Sequence, residues 1–207
     1  MKVKTLMAVG FVMAAVVPLF AGGAGGFGGF GGPLGALQRP AVQADLKLTD
    51  EQKGKLDEVR QQIIQDGQGI FQGLQNATPE ERAKKLAEFT QLQYTKLGTV
   101  LKPEQIKRLR EVVLQIDGLV GSIMQPAVGE KLKITDEQRQ KVGPILQGYQ
   151  QARREIFQSI QNGGSREEAQ KKTAELTKST DEKIIALLTD DQKKTWKEMS
   201  GEPLKLA

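Results

Sequence analysis

Residues 46–76 read LKLTDEQKGKLDEVRQQIIQDGQGIFQGLQN, and residues 132–162 read LKITDEQRQKVGPILQGYQQARREIFQSIQN. At an offset of 86 residues, 14 of these 31 positions carry the same amino acid. Self-similarity at a fixed period is typical of chains that use one supersecondary unit more than once. The sequence therefore predicts a duplication, with repeat 1 over residues 46–131 and repeat 2 over residues 132–207.

A five-residue motif predicts the start of a helix in four places. Its first copy reads LTDEQ, in which Thr49 takes the N-cap position and Gln52 follows three residues later. A Thr hydroxyl at the N-cap accepts from the N3 amide, while a Gln side chain at N3 reaches back to the N-cap amide; together they form a capping box. The four copies begin at Leu48, Leu101, Ile134 and Leu188.

Apolar residues between the motifs recur at three- and four-residue spacing, which is typical of one face of a helix. No stretch alternates strictly enough to predict a strand. We therefore expect an all-α fold of two tandem copies of a long helical hairpin unit, arranged as an extended helical bundle. The recurring apolar positions of the two long segments are Leu56, Val59, Ile63, Ile70, Phe71 and Leu74, and Val142, Ile145, Tyr149, Ile156, Phe157 and Ile160.

Three positions predict departures from regular helices. Lys102 replaces the capping Thr in the motif copy at 101, so we expect a weaker start there or a continuation of the preceding helix, although Pro103 suits N1. Asp117-Gly118 predicts a break. Pro144 predicts a kink in repeat 2, because proline removes a helical hydrogen bond.

The first 24 residues have the pattern of a secretory signal peptide. Lys2 and Lys4 form a basic region, and Leu6–Phe20 is an apolar run of 15 residues before small residues. Because a bilayer span needs about 20 residues, we expect cleavage rather than a membrane anchor. The mature protein would be exported, to the periplasm in a cell of the Gram-negative type, with no integral membrane span.

Glycine dominates the segment that follows the signal. Residues 21–35 contain nine Gly. Such a composition offers little apolar surface to offset the loss of backbone entropy on folding. Residues 25–45 are therefore predicted to be a disordered, flexible Gly-rich linker.

The composition excludes several classes of catalytic and metal-binding site. Among its 207 residues the chain has no Cys and no His, which excludes thiol and Ser-His nucleophiles and the usual zinc sites. Adjacent carboxylates such as Asp50-Glu51 point in different directions on a helix and suit its first turn. We expect no catalytic residues, no metal site and no cofactor.

The charge distribution argues against nucleic acid as a partner. Removal of residues 1–24 leaves 28 Lys and Arg against 25 Asp and Glu, a net charge of +3. The basic residues alternate with acidic ones, as in EERAKK at 80–85, and no basic patch with stacking aromatics stands out. A solvated helical surface accounts for this pattern.

Copies of a Leu-Thr-x-x-Gln motif in an exported chain without Cys resemble the Spy/CpxP family of periplasmic proteins. The resemblance rests on residues 48–52, 134–138 and 188–192, with 101–105 as a degenerate copy. It implies an ATP-independent chaperone or an envelope-stress accessory protein built from helical hairpins that often pair into a cradle. The partners it implies are unfolded or envelope proteins, with a homodimer as one expected assembly. Some relatives bind metal through His, which this chain lacks.

Two adjacent apolar pairs near the ends of the long segments are the candidate binding residues. Neighbouring residues on a helix cannot both face one narrow seam, so each pair leaves one side chain for another surface. These side chains either close the hairpin core or contact unfolded clients, and two nearby Arg either attract charge or form a solvated face. The candidate client-binding residues are Ile70, Phe71, Ile156, Phe157, Arg153 and Arg154.

An alternative function follows from the many Gln on the long segments. Such a polar surface suits a helix that pairs with another helix. The protein would then be a structural, coiled-coil-like envelope scaffold with one dedicated protein partner. A chaperone exposes apolar area and accepts many unfolded chains, whereas a scaffold hides that area in a defined oligomer.

Overall fold

The part of the chain that is described is predominantly helical. The computed structural model describes residues 32–74 and 77–204, apart from the side chains of Phe71 and Pro79; these ranges form nine helices and no β-strand. The predicted all-α class is therefore confirmed, while the predicted signal peptide lies outside the described residues. The helices are α1 (Gly32–Leu37), α2 (Pro40–Asp45), α3 (Asp50–Gln72), α4 (Pro79–Leu97), α5 (Pro103–Ser122), α6 (Pro126–Lys131), α7 (Asp136–Gln161), α8 (Arg166–Ile185) and α9 (Asp190–Ser200).

Two long hairpins extend from a shared base. Helix α3 packs against α4, and α7 packs against α8. The 23 residues of α3 and the 26 of α7 correspond to about 35 and 39 Å. Helix α7 continues through Pro144 as one helix, and beyond Val142 none of its side chains is fully buried. None of the helices in the described ranges is long and apolar enough to cross a bilayer.

Helix α5 joins two hydrophobic cores. Its first part, with Leu109 and Val112, belongs to a core shared with α1 to α4, and its last turn, with Leu119, belongs to a core shared with α6 to α8. Between them Gly118 leaves the helical conformation, with φ 65° and ψ −175°. The break predicted near Asp117-Gly118 is confirmed.

The linker prediction is wrong for residues 32–45. These residues form α1 and α2, and Leu34, Leu37 and Val42 are buried in the first core. The burial of these apolar side chains offsets the loss of backbone entropy on folding. A count of glycines alone does not take that burial into account. Residues 25–31 lie outside the part of the chain that is described.

Helices α2 and α6 occupy corresponding places in the two halves. Each begins with Pro-Ala-Val, at Pro40 and at Pro126, which are 86 residues apart. Each is followed by a left-handed residue, Lys47 with φ 50° or Lys133 with φ 51°. The backbone hydrogen bonds around these lysines form Schellman motifs, which end a short helix sharply.

The recurring structure begins earlier than the predicted repeat boundaries. Gly32 and Gly118, again 86 residues apart, both have a left-handed φ, of 75° and 65°. Each starts a short helical turn that leads into α2 or α6. The corresponding structure of the two halves therefore extends back at least to these two glycines, upstream of the predicted boundaries at 46 and 132.

A side chain from the returning helix caps each of these turns. Gln93 of α4 accepts a hydrogen bond from the amide of Leu34 at 2.9 Å. In the second half, Asp181 of α8 accepts from the amide of Val120 at 2.7 Å. A Cβ on residue 118 would clash with the Asp181 carboxylate, so the close approach requires glycine there.

The Gln side chains of the first two motif copies bond to each other at the hairpin base. The Gln52 amide nitrogen donates to the Gln105 side-chain oxygen at 2.8 Å, and the Gln105 nitrogen donates back at 3.1 Å. Each oxygen also accepts from its own N-cap amide, that of Thr49 at 3.1 Å or Lys102 at 2.9 Å. The pair therefore joins two helix starts that are 53 positions apart in sequence.

The second half has the same arrangement. Gln138 and Gln192 exchange hydrogen bonds of 2.7 and 2.9 Å, and each also accepts from its N-cap amide, that of Thr135 or Thr189. The capping boxes predicted at Thr49, Thr135 and Thr189 are confirmed. At Lys102 only the Gln half of the box exists, and α5 nevertheless begins there as a separate helix.

The C-terminal segment returns to the first half. Gln115 of α5 donates to the Glu202 carbonyl at 2.7 Å and accepts from the Leu204 amide at 2.7 Å. Arg108 also donates to the Glu202 carbonyl, at 2.8 Å, and pairs with Asp45 at 2.7 Å. Because Leu204 is buried in the first core, this segment connects the end of α9 to the first unit.

Removal of one Gln from a pair should destabilise the protein. Gln105→Ala removes a partner from the Gln52 amide and from the Lys102 N–H at a partly buried site, at a cost of about 1–3 kcal/mol of unfolding free energy. In a cycle with Gln52→Ala, the double variant should lose less than the sum of the single losses, by about 0.5 kcal/mol or more. Urea unfolding followed by circular dichroism measures both. Exposed Gln61→Ala on α3 serves as the control, and additive losses would contradict the pairing.

The Asp181 cap should make stability depend on pH. Burial raises the pKa of Asp181 to about 6, against the opposing effect of the Val120 and Leu119 amides. Since this pKa exceeds the unfolded value of about 3.9, the native state binds more protons between pH 4 and 6, and its stability falls as pH rises through that window.

The matched variant Asp181→Asn keeps the acceptor oxygen and removes the charge, as Gln93 does in the first half. We expect the stability of this variant relative to wild type to increase by about 1–3 kcal/mol from pH 4 to pH 7. Thermal or urea unfolding across this range provides the comparison. Parallel curves for the two proteins would show that the carboxylate has no such effect.

Candidate functional site

One exposed face of α7 gathers polar, cationic and aromatic side chains. The residues of this face recur at helical spacing along about 17 Å of the axis of α7, and they line an open depression of about 450 Å³. We call this surface the α7 face. Its residues are Gln150, Arg153, Arg154, Phe157, Gln158 and Gln161.

Phe157 is the centre of the α7 face. Its side chain is 60% exposed, more than the other exposed large apolar side chains of the described ranges, Leu86 and Met124. Leaving a Phe in water forgoes about 1.5–3 kcal/mol of burial free energy. That free energy is available when a partner covers the ring.

The two arginines make the face cationic. Among the described residues, no carboxylate lies within 4 Å of the Arg153 or Arg154 guanidinium. Arg153 lies 5.7 Å from the centre of the Tyr149 ring, a weak cation–π distance. The neighbouring Glu155 instead accepts from Gln151 at 3.2 Å. The α7 face therefore carries two positive charges and no acidic side chain.

The structure groups three of the six predicted binding residues. Arg153, Arg154 and Phe157 share the α7 face, whereas Ile156 is half-buried outside it. Ile70 packs against the first core, as expected of a side chain that closes a hairpin. The side chain of the sixth residue, Phe71, lies outside the described part.

The three Gln of the α7 face were not among the predicted residues. Gln150 and Gln161 lie two turns and one turn from Phe157, so spacing from that residue could have identified them, whereas Gln158 is its direct neighbour. Their amides offer both hydrogen-bond donors and acceptors. They give the face polar groups that can bond a peptide backbone.

The corresponding positions of α3 lack the cations. Eighty-six residues before Arg153 and Arg154 the chain has Gly67 and Gln68. The nearby Asp66 forms an ion pair with Lys96 at 2.7 Å. The two hairpins therefore present different chemistry on related helices.

Two further groups with strongly displaced pKa values, Asp117 and Tyr94, lie outside the α7 face. Burial raises the pKa of Asp117 to about 6 and that of Tyr94 to about 12, while Arg39 opposes the first shift and Arg110 the second. The Arg110 guanidinium lies 3.8 Å from the Tyr94 ring. Within the part of the chain that is described, no cluster of three or more potential ligand side chains could hold a metal ion.

Comparison with protein-family models, with curated proteins and with solved structures returns no match for this chain.

The exposure of Phe157 leads to a stability prediction. Phe157→Ser should change the unfolding free energy by less than about 0.5 kcal/mol, because the ring contributes little to the core. Ile184→Ala, at a fully buried position of α8, should cost about 2–5 kcal/mol. Thermal unfolding followed by circular dichroism compares the two variants. A large loss for Phe157→Ser would mean that the ring supports the fold rather than a partner.

Proposed function

We propose that the protein is an exported, non-enzymatic, ATP-independent chaperone of the Spy/CpxP type, which binds unfolded proteins of the cell envelope. The observation that carries this proposal is the exposed Phe157 beside two arginines that have no acidic partner in the described ranges. The resemblance of the four motif copies to the Spy/CpxP pattern and the predicted signal peptide support it.

The chemistry of the α7 face suits an unfolded chain. Such a chain exposes apolar side chains together with backbone N–H and C=O groups that lack partners. Phe157 offers apolar area, and Gln150, Gln158 and Gln161 offer hydrogen bonds that do not depend on client sequence. A mixture of modest contacts favours broad, reversible binding over a single tight partner.

The ion pairs of the acidic residues at the helix starts support a structural rather than a catalytic role for these carboxylates. Glu51 pairs with Lys55 at 2.6 Å, and Glu137 pairs with Lys141 at 2.6 Å, within the first turns of α3 and α7. These exposed i,i+4 pairs and their place at helix N-termini account for the acidic residues. We therefore assign no catalytic group.

The test is light scattering of an aggregating, unfolded client with an equimolar amount of the mature protein, without ATP. Scattering should fall, and the fall should be smaller with Phe71→Ser plus Phe157→Ser. Loss of a Phe that becomes buried on binding costs about 1.5–3 kcal/mol, or about tenfold or more in affinity. Leu86→Ser is the matched control, because it removes another exposed apolar side chain from outside the α7 face.

The other outcomes separate the alternatives. Equal suppression by the double Phe variant and the wild type would place client binding elsewhere on the molecule. No suppression by the wild type would remove the chaperone proposal and favour a scaffold with one dedicated envelope partner. Circular dichroism on each variant ensures that only folded proteins are compared.

A further inference from the structure

We propose that the α7 face selects acidic segments of extended polypeptide, and that the corresponding positions of α3 lack this selectivity. The inference rests on the proposed function, since it names the part of an unfolded chain that the second hairpin prefers. It is carried by the residues of the α7 face and by the sequence difference between the two halves.

Two exposed arginines give the α7 face its positive charge. Arg153 and Arg154 are exposed, and among the described residues neither is neutralised by a carboxylate within 4 Å. Glu155, the acidic residue next to them, is engaged by Gln151. A guanidinium binds a carboxylate through two parallel N–H donors, whereas it repels a lysine-rich segment.

The dimensions of the face fit a short extended peptide. Its length of about 17 Å matches about five residues of extended chain. Phe157 lies one helical turn beyond the two arginines, so carboxylates and an apolar side chain of one peptide can be bound together. The Gln amides remain available for the peptide backbone.

A membrane surface fits the same residues less well. Helices that lie on bilayers insert a broad apolar face and keep their cations on the polar side. Phe157 is the single large apolar side chain of the α7 face, and three Gln lie on the same surface. This composition matches a polar peptide better than an acyl-chain boundary.

The first hairpin supplies the internal comparison. The positions that correspond to the two arginines are Gly67 and Gln68, and the neighbouring charge is that of Asp66. A carboxylate peptide would gain no cation from these two positions of α3. We therefore place the preference for acidic segments on α7 rather than on α3.

Fluorescence anisotropy with the full mature protein tests the proposal. The probe is a short labelled peptide that alternates Asp with Leu and Phe, compared with versions in which Asn or Lys replaces Asp. The acidic peptide should bind several-fold to about tenfold more tightly than the Asn peptide, and the Lys peptide should bind most weakly. Raised salt should reduce the preference.

The decisive variant is Arg153→Gln plus Arg154→Gln, which should bind the acidic and Asn peptides equally. The control is Lys84→Gln plus Lys107→Gln, which removes the same charge from exposed sites on α4 and α5. The control should retain the preference. Equal losses in both variants would reduce the effect to net charge and overturn the proposal, provided that circular dichroism shows both to be folded.

Three further outcomes also test the proposal. Binding of phosphatidylglycerol vesicles through Arg153 and Arg154, without binding of the acidic peptide, would overturn the peptide assignment in favour of a membrane. Suppression of client aggregation together with equal binding of the three peptides would overturn the acidic preference and leave the chaperone proposal standing. Acidic-peptide binding without suppression would support the site and remove the chaperone proposal.

Discussion

The reciprocal bond between two glutamines at each hairpin base is the constraint on which the arrangement of helices depends. Each Gln oxygen accepts twice, from its own N-cap amide and from the opposite Gln, and each Gln nitrogen donates to the opposite oxygen and to a carbonyl of the partner segment. A Glu could not donate, and a shorter Asn would reach less far. Because the bond holds together two helix starts 53 or 54 positions apart, the intervening chain must turn back on itself.

The two units share this device and differ where they join. Gln93 caps the first turn of one unit and remains neutral at every pH, whereas Asp181 performs the same task in the other and titrates. The second cap lies at the break in α5, where the left-handed Gly118 lets the chain pass from one core to the next. The C-terminal segment, bonded to Gln115, holds α9 against the first unit.

Local sequence patterns predicted the helices and most of their capping boxes. They did not predict which residues pair over long distances in the sequence. The capping boxes at Thr49 and Thr135 follow from residues three positions apart, so the sequence displays them directly. The partner of each Gln nitrogen lies more than fifty residues away, and capping alone leaves it undetermined. Composition misled over residues 32–45, where a few well-placed apolar side chains outweigh the glycines. Phe157 is exposed and Ile156 is half-buried because of the way in which α7 is rotated against α8. The spacing of the repeat does not determine that rotation.

The distribution of burial explains how one hairpin can acquire a surface that the other lacks. The glutamine pairs lie at the end of each hairpin that is opposite to its tip. Val142, the last buried residue of α7, lies near that same end of the helix. Substitutions at exposed positions near the tip, such as those of the α7 face, therefore change little of the free energy of folding. The exposed Arg153 and Arg154 occupy positions at which α3 has the buried Gly67 and the exposed Gln68, so the two helices differ there in both charge and burial. Among the side chains that the structure describes, those of α7 near its tip combine an exposed aromatic ring with two cations.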